Sequence, residues 1–148
     1  MNGEDYKALI DLCGKYGATF ALDVPPKEDV QVIDALEKFR IPTPDNITYK
    51  FDSMTYINLE TKTAVDSEIR FYKVTPELCS VLKEAVFSIY DWIYGYENFK
   101  NPGDLMFFRA DGSPLFTSCI HEGELYLHLR DDENADAVLS HCNWRLED

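Results

Sequence analysis

Apolar residues recur along this chain with two different periods, and the changes of period mark out its elements. The longest helical pattern runs from Thr75 to Phe99. Thr75 is a good N-cap, Pro76 suits the first helical position, and Glu77 sits at the positive end of the helix dipole. Leu78, Val81, Leu82, Ala85, Ile89, Trp92, Ile93 and Tyr96 then return at three- and four-residue spacing as one wide apolar stripe. Val86, Phe87, Tyr90 and Tyr94 widen that stripe, so the pattern predicts a long central helix covered on more than one side. At 1.5 Å per residue it would span about 35 Å.

Two N-terminal helices are expected before it. Asp5 to Tyr16 places Tyr6, Leu9, Ile10, Cys13 and Tyr16 on one face, with Gly17 as the stop. Pro25-Pro26 opens the second, which runs to about Phe39 with Val32, Ile33, Leu36 and Phe39 inward. Pro42 and Pro44 end it, because a residue before proline is pushed out of the helical region. Between these helices Ala18 to Val24 is apolar and β-tolerant, but too short to classify.

From Ile47 the period becomes two. Ile47 to Phe51, Met54 to Leu59 and Glu68 to Val74 read as strands, the last two joined by a polar loop at Thr61-Lys62-Thr63. A C-terminal three-stranded meander follows the long helix: Leu105–Ala110, Leu115–His121 and Leu125–Arg130. Asp111-Gly112 suits a type I′ turn, which pairs Phe107 with Phe116, and a two-residue turn at Glu122-Gly123 pairs Cys119 with Tyr126. Side chains alternate across a strand, so Phe107, Phe116, Ser118, Ile120, Leu125, Leu127 and Leu129 share one apolar face. Phe108, Thr117, Cys119, His121, Glu124, Tyr126 and His128 share the other. A short last helix is expected from about Ala135 to Asn143. Together these elements predict one α+β domain over residues 1–148, an antiparallel sheet packed against a long helix.

Composition narrows the class of molecule. The 148 residues are 45% hydrophobic and 14% aromatic, ample for a packed core. No apolar run approaches a membrane span, and the acidic N-terminus lacks the features of a signal peptide, so a cytoplasmic protein is expected. Four scattered cysteines (Cys13, Cys79, Cys119, Cys142) then read as reduced thiols. The net charge is −13 and uneven: residues 1–73 carry 13 acids against 9 bases, residues 74–148 carry 14 against 5. A field of that sign repels nucleic acid and anionic lipid and favours basic surfaces, so the acidity either serves solubility alone or suits a basic protein partner. The seven glycines form no phosphate-binding loop, and no cofactor is expected.

Chemistry converges in one place on this reading. Cys119, His121 and His128, with Glu124, fall on the mixed face of the meander, His128 diagonal to Cys119. A thiolate beside an imidazole could act as a nucleophile, and the set could hold zinc. No oxyanion-hole motif or metal-ligand spacing accompanies them, so a packed cysteine with two half-exposed histidines is the competing structural account. Tyr90, Trp92, Tyr94, Tyr96 and Phe99 cannot all share one side of a helix, and part of them could form an aromatic interface.

The run Pro102-Gly103-Asp104-Leu105-Met106-Phe107-Phe108-Arg109, followed by Ser118-Cys119-Ile120-His121-Glu122, resembles a pattern in small uncharacterised bacterial proteins, where a Pro-x-Asp-Leu-x-Phe-Phe-Arg strand precedes a Ser-x-x-His-Glu turn. It covers about a third of the chain and implies no activity. More loosely, Leu36-Glu37 to Pro44 and the acidic closing strands are similar to the SUKH-type superfamily. That resemblance implies an α+β protein that binds and neutralises a toxin. Three function classes therefore stand: a non-catalytic acidic protein-binding module of immunity type, a small enzyme or metal-binding protein using Cys119, His121 and His128, and a structural or regulatory protein with no ligand.

Overall fold

An inner strand of the sheet comes from the apolar run that the sequence pattern leaves unclassified. In the computed structural model, which describes residues 3–24, 31–50, 55–58, 63–66, 68–86, 89, 103–120, 123–139 and 145–146, β1 (Thr19–Val24) is buried at every position. It lies between β5 (Glu68–Lys73) and β6 (Gly103–Phe108), antiparallel to both. A residue flanked by strands on both sides and covered on both faces has no solvent side. Its pattern is therefore continuous rather than alternating.

The sheet has seven strands in the order β2 (Arg40–Ile41), β5, β1, β6, β7 (Pro114–Cys119), β8 (Glu124–Leu127) and β9 (Arg145–Leu146). From β2 to β8 each pairing is antiparallel, and β9 runs parallel to β8. A separate two-stranded sheet pairs β3 (Thr55–Asn58) with β4 (Thr63–Asp66). The fold is α+β, as the pattern implies. Its meander is not a free-standing platform, however, because β6 continues through β1 into the rest of the sheet.

Helices α1 (Gly3–Tyr16), α3 (Pro76–Ala85) and α4 (Asp136–Leu139) contribute to one core on one face of this sheet. Tyr6, Leu9, Ile10 and Cys13 of α1 meet Leu78 and Leu82 of α3 over Phe20, Tyr72, Phe107, Phe116 and Leu127. The helices approach closely at Gly14, where a Cβ would fall 2.8 Å from Cys79 Sγ. The Tyr6 hydroxyl donates to the Leu82 carbonyl, and Lys83 Nζ reaches Asp11 Oδ1 at 2.8 Å.

Helix α3 begins as expected: the Thr75 hydroxyl accepts from Leu78 N at 3.1 Å, with Pro76 at the first position. It does not continue to Phe99. Val86 is extended, at φ −145° and ψ 163°, and ends the helix after ten residues. Val86 and Ile89 are still buried in the main core. The expected aromatic patch from Tyr90 to Phe99 lies outside the described residues.

The other N-terminal helix, α2, covers Gln31–Leu36 and tightens into a 3₁₀ turn at Glu37–Phe39. Residues 47–50 form no strand, and the loop expected around Thr61–Thr63 gives way to β4 from Thr63. The last helix is described only from Asp136 to Leu139, with Asn134 Oδ1 accepting from Asp136 N at 3.0 Å.

Both expected turns of the meander differ in detail, with different consequences. At Asp111-Gly112 only Gly112 has positive φ, at 86°, so the turn is not type I′. Gly112 N donates to Arg109 O and Arg109 N to Ser113 O, both at 2.9 Å, which makes a three-residue loop closed by a left-handed glycine. The extra loop residue is absorbed by a register shift between Phe107 and Phe108, so Phe107 still faces Phe116. The second loop, between Cys119 and Glu124, holds four residues rather than two, and Cys119 pairs with Glu124, not Tyr126. A two-residue slip preserves the faces but moves every cross-strand neighbour.

Candidate functional site

The sheet face opposite the helices carries a smaller apolar cluster, Ala21, Phe71, Met106 and Phe108, with Ile41, Ile47 and Ile69 against it. Residues 42–50 leave the sheet edge and cross this face. Asn46 Nδ2 donates to Ala110 O at 2.9 Å, and the Tyr49 ring meets Phe108 edge-on at 5.8 Å. Beside Tyr49 the sheet surface opens into a cleft of about 170 Å³.

Three carboxylates line this cleft, Asp23, Asp104 and Glu124, together with Tyr49, Tyr126, Thr117 and Cys119. No Lys, Arg or His is among the described residues that line it. Asp23 is 1% exposed and Asp104 9%, whereas Glu124 stands exposed at the end of β8.

Local backbone explains why Asp104 is there. The β1–β6 ladder shifts register between Leu22 and Asp23, with Asp23 opposite Gly103. Asp104 is left as the extra residue, at φ 53°. Aspartate is among the few side chains that tolerate the left-handed region, and bulges re-aim side chains in this way. Its Oδ1 accepts from Ile120 N at 2.8 Å, fastening the start of β6 to the end of β7. Ser118 Oγ donates to Leu105 O at 2.8 Å alongside.

The cysteine–histidine arrangement expected from the sequence has a different geometry. His128 N donates to Leu115 O, which places His128 opposite residue 115 and four residues along the ladder from Cys119. At about 3.3 Å per residue the two side chains are separated by roughly 13 Å. His128 Nε2 instead lies 2.8 Å from Thr117 Oγ1. His121 lies outside the described residues, as do His141 and Cys142. Among the described residues no three His, Cys, Asp or Glu groups come together in a way that could hold a metal ion.

The thiols themselves divide by environment. Burial pushes Cys13 well above its usual range, reinforced by the neighbouring Cys79. Burial raises Cys79 too, against the opposing charge of Lys83. A thiol raised and enclosed in this way is a poor nucleophile. Cys119 is half-buried in the cleft and lies outside the core. Iodoacetamide at neutral pH is therefore expected to modify Cys119 well before Cys13 or Cys79, which should react only on unfolding. Equal rates for the three, read by peptide mass spectrometry, would contradict this division.

Asp23, Asp104 and Tyr49 escaped the sequence reading, and each had only a faint signal. Asp23 is the one charged residue in the apolar run from Ala18 to Val24, and Asp104 follows a Pro-Gly pair. Nothing local ties Tyr49 to residues seventy positions away. No protein-family model matches the chain, and no curated protein or solved structure matches it. No helix among the described residues is long and apolar enough to cross a membrane.

Proposed function

We propose that this protein is a non-catalytic binding module that presents the open face of its sheet to a basic protein partner, in the manner of a toxin-immunity protein. The observation that carries the reading is the acidic cleft: three carboxylates and two tyrosines line it, on the sheet face opposite the helices. A net charge of −13 adds a long-range field of the same sign. Such a field steers a basic partner toward the surface, and aromatic side chains at the contact supply area and stacking. An acidic face of this kind would occlude a basic active site. The catalytic alternative built on Cys119, His121 and His128 finds less support, because the register keeps His128 away from Cys119.

The test is capture from native extract and protection of cells from toxins encoded next to its gene. A basic protein should be retained, and retention should weaken as salt rises above about 0.15 M, where screening falls to about 8 Å. Recovery of no protein partner, together with no protection, would overturn the proposal.

A further inference from the structure

We infer that residues 42–50 form a strap that lifts off the open face while the sheet beneath stays folded, and that its latch is the contact between Asn46 and the β6–β7 loop at Gly112. Tyr49 rides on this segment and lines the cleft, so lifting the strap widens the cleft. For the binding-module reading, on which that consequence rests, the strap is the cover a partner displaces.

The strap begins where the sheet edge ends. β2 stops at Ile41, because Pro42 has no N–H to give a neighbouring strand and Pro44 repeats the interruption. The chain then turns, with Ile47 N donating to Pro44 O at 3.4 Å, and continues to residue 50 as neither helix nor strand.

Burial is one-sided. Of these nine residues seven are exposed, and Pro44 and Ile47 are half-buried. On the face they cross, Ala21, Phe71, Met106 and Phe108 are at most 5% exposed, and Ile47 packs against them. A segment that buries little of itself has little to lose on detaching, and such segments open at lower free energy than core strands. The floor belongs to β1, β5 and β6, with Ala21 opposite Phe71 on one side and Met106 on the other. Those ladders are made without the strap.

The latch is a fit of backbone to backbone. Gly112 has φ 86°, and a Cβ there would fall 2.1 Å from Asn46 O and 2.7 Å from Asn46 C. Glycine alone permits both the dihedral and the approach. Asn46 Nδ2 also donates to Ala110 O at 2.9 Å, so one strap residue holds the loop by main chain and side chain together. Beyond it the Tyr49 ring rests edge-on against Phe108.

The experiment places a thiol in the floor by Ala21→Cys, which adds one sulfur atom, and follows its alkylation by iodoacetamide with peptide mass spectrometry. Cys13, in the core on the other face of the sheet, reports global unfolding in the same molecules. The introduced thiol should react at least about a hundredfold faster than Cys13. Its rate should be insensitive to low urea, because lifting the strap exposes far less surface than unfolding does. Asn46→Ala removes the hydrogen bond to Ala110 and should speed the reaction about threefold to tenfold, with no change at Cys13. Gly112→Ala should speed it further by pushing the strap away, and Asn46→Ala still reads the latch where that variant disturbs the β6–β7 hairpin. Met106→Cys gives the same comparison from a second floor position, with space left rather than an atom added. Equal rates at the introduced thiol and Cys13, equal urea dependence, or equal acceleration of both by Asn46→Ala would overturn the inference, since the strap would then leave only when the molecule unfolds. No partner takes part in this assay. The strap can therefore fail while the binding-module reading stands, and capture of a basic protein can fail while the strap stands.

Discussion

Replacing Arg109 by methionine is expected to cost about 3 kcal/mol of folding stability, the low end of the range for breaking a buried ion pair. Arg109 and Glu133 are each 7% exposed at their side chains, and all five guanidinium donors are used. Removing the arginine leaves a desolvated carboxylate and strands the Pro114 and His128 carbonyls. The second arginine of this region cannot substitute. Arg130 is occupied by Asp111 and Ser113 on the surface, although its backbone N–H still reaches Glu133 Oε1 at 2.8 Å. Urea unfolding at neutral pH measures the loss. A change below about 1 kcal/mol, the range of an exposed pair, would show that water reaches Glu133 freely.

The same pair predicts a pH dependence with a definite sign. Hydrogen bonding from Arg109 holds the Glu133 carboxyl below the usual carboxylate range, against the opposing effect of its burial. A group whose folded pKa is depressed binds protons more readily when unfolded. Its stabilisation is therefore complete above the unfolded value near 4.3 and is lost as pH falls below it. In Arg109→Met the lowering influence of Arg109 is gone and burial favours the protonated acid. The stability gap between the two proteins should shrink as pH falls from about 6 to about 4. A gap that stays constant or widens would mean that Glu133 does not titrate differently in the two proteins. Arg109→Met combined with Glu133→Gln should recover part of the loss at neutral pH, because no buried charge is then left unpaired.

The other large effect is expected at Phe20. Its ring lies in β1 with Phe107 from β6 at 4.9 Å on one side and Tyr72 from β5 at 5.8 Å on the other, all three fully buried. Phe20→Ala should cost about 3–5 kcal/mol, since the cavity opens at the crossing of three strands and both neighbouring rings are held by their own ladders. Phe20→Leu, which refills most of that volume, should cost about 1.5 kcal/mol or less. Thermal and chemical denaturation would read both. A small effect for alanine would mean that the helical layer collapses onto the gap and that β1 is less central than its position suggests.

β1 also shows where sequence reasoning stops. Six residues with no polar alternation carry no period, so neither strand nor helix is favoured locally. The pairing with residues 68–73 and 103–108 is what makes the segment a strand. The end of α3 is a similar case. Thr75, Pro76 and Glu77 mark its start because capping is a local hydrogen-bonding problem that local residues solve. Val86 carries no comparable stop signal. An apolar stripe states only that side chains must be buried, and the extended Val86 is buried as well as a helical residue would be.

What the sequence determined by itself was the set of alternations and caps. These are the α+β class and the start of α3, each set by chemistry within a few residues; the C-terminal strands took a different register and belong to a wider sheet than the expected three-stranded meander. Tertiary structure alone decided which neighbours meet. Loop lengths set the β7–β8 register and so separated His128 from Cys119, while a bulge opposite Asp23 turned Asp104 toward the same cleft as Tyr49 and Glu124. Faces survive a slip of two residues and contacts do not, because the side-chain period is two but each cross-strand pair is unique.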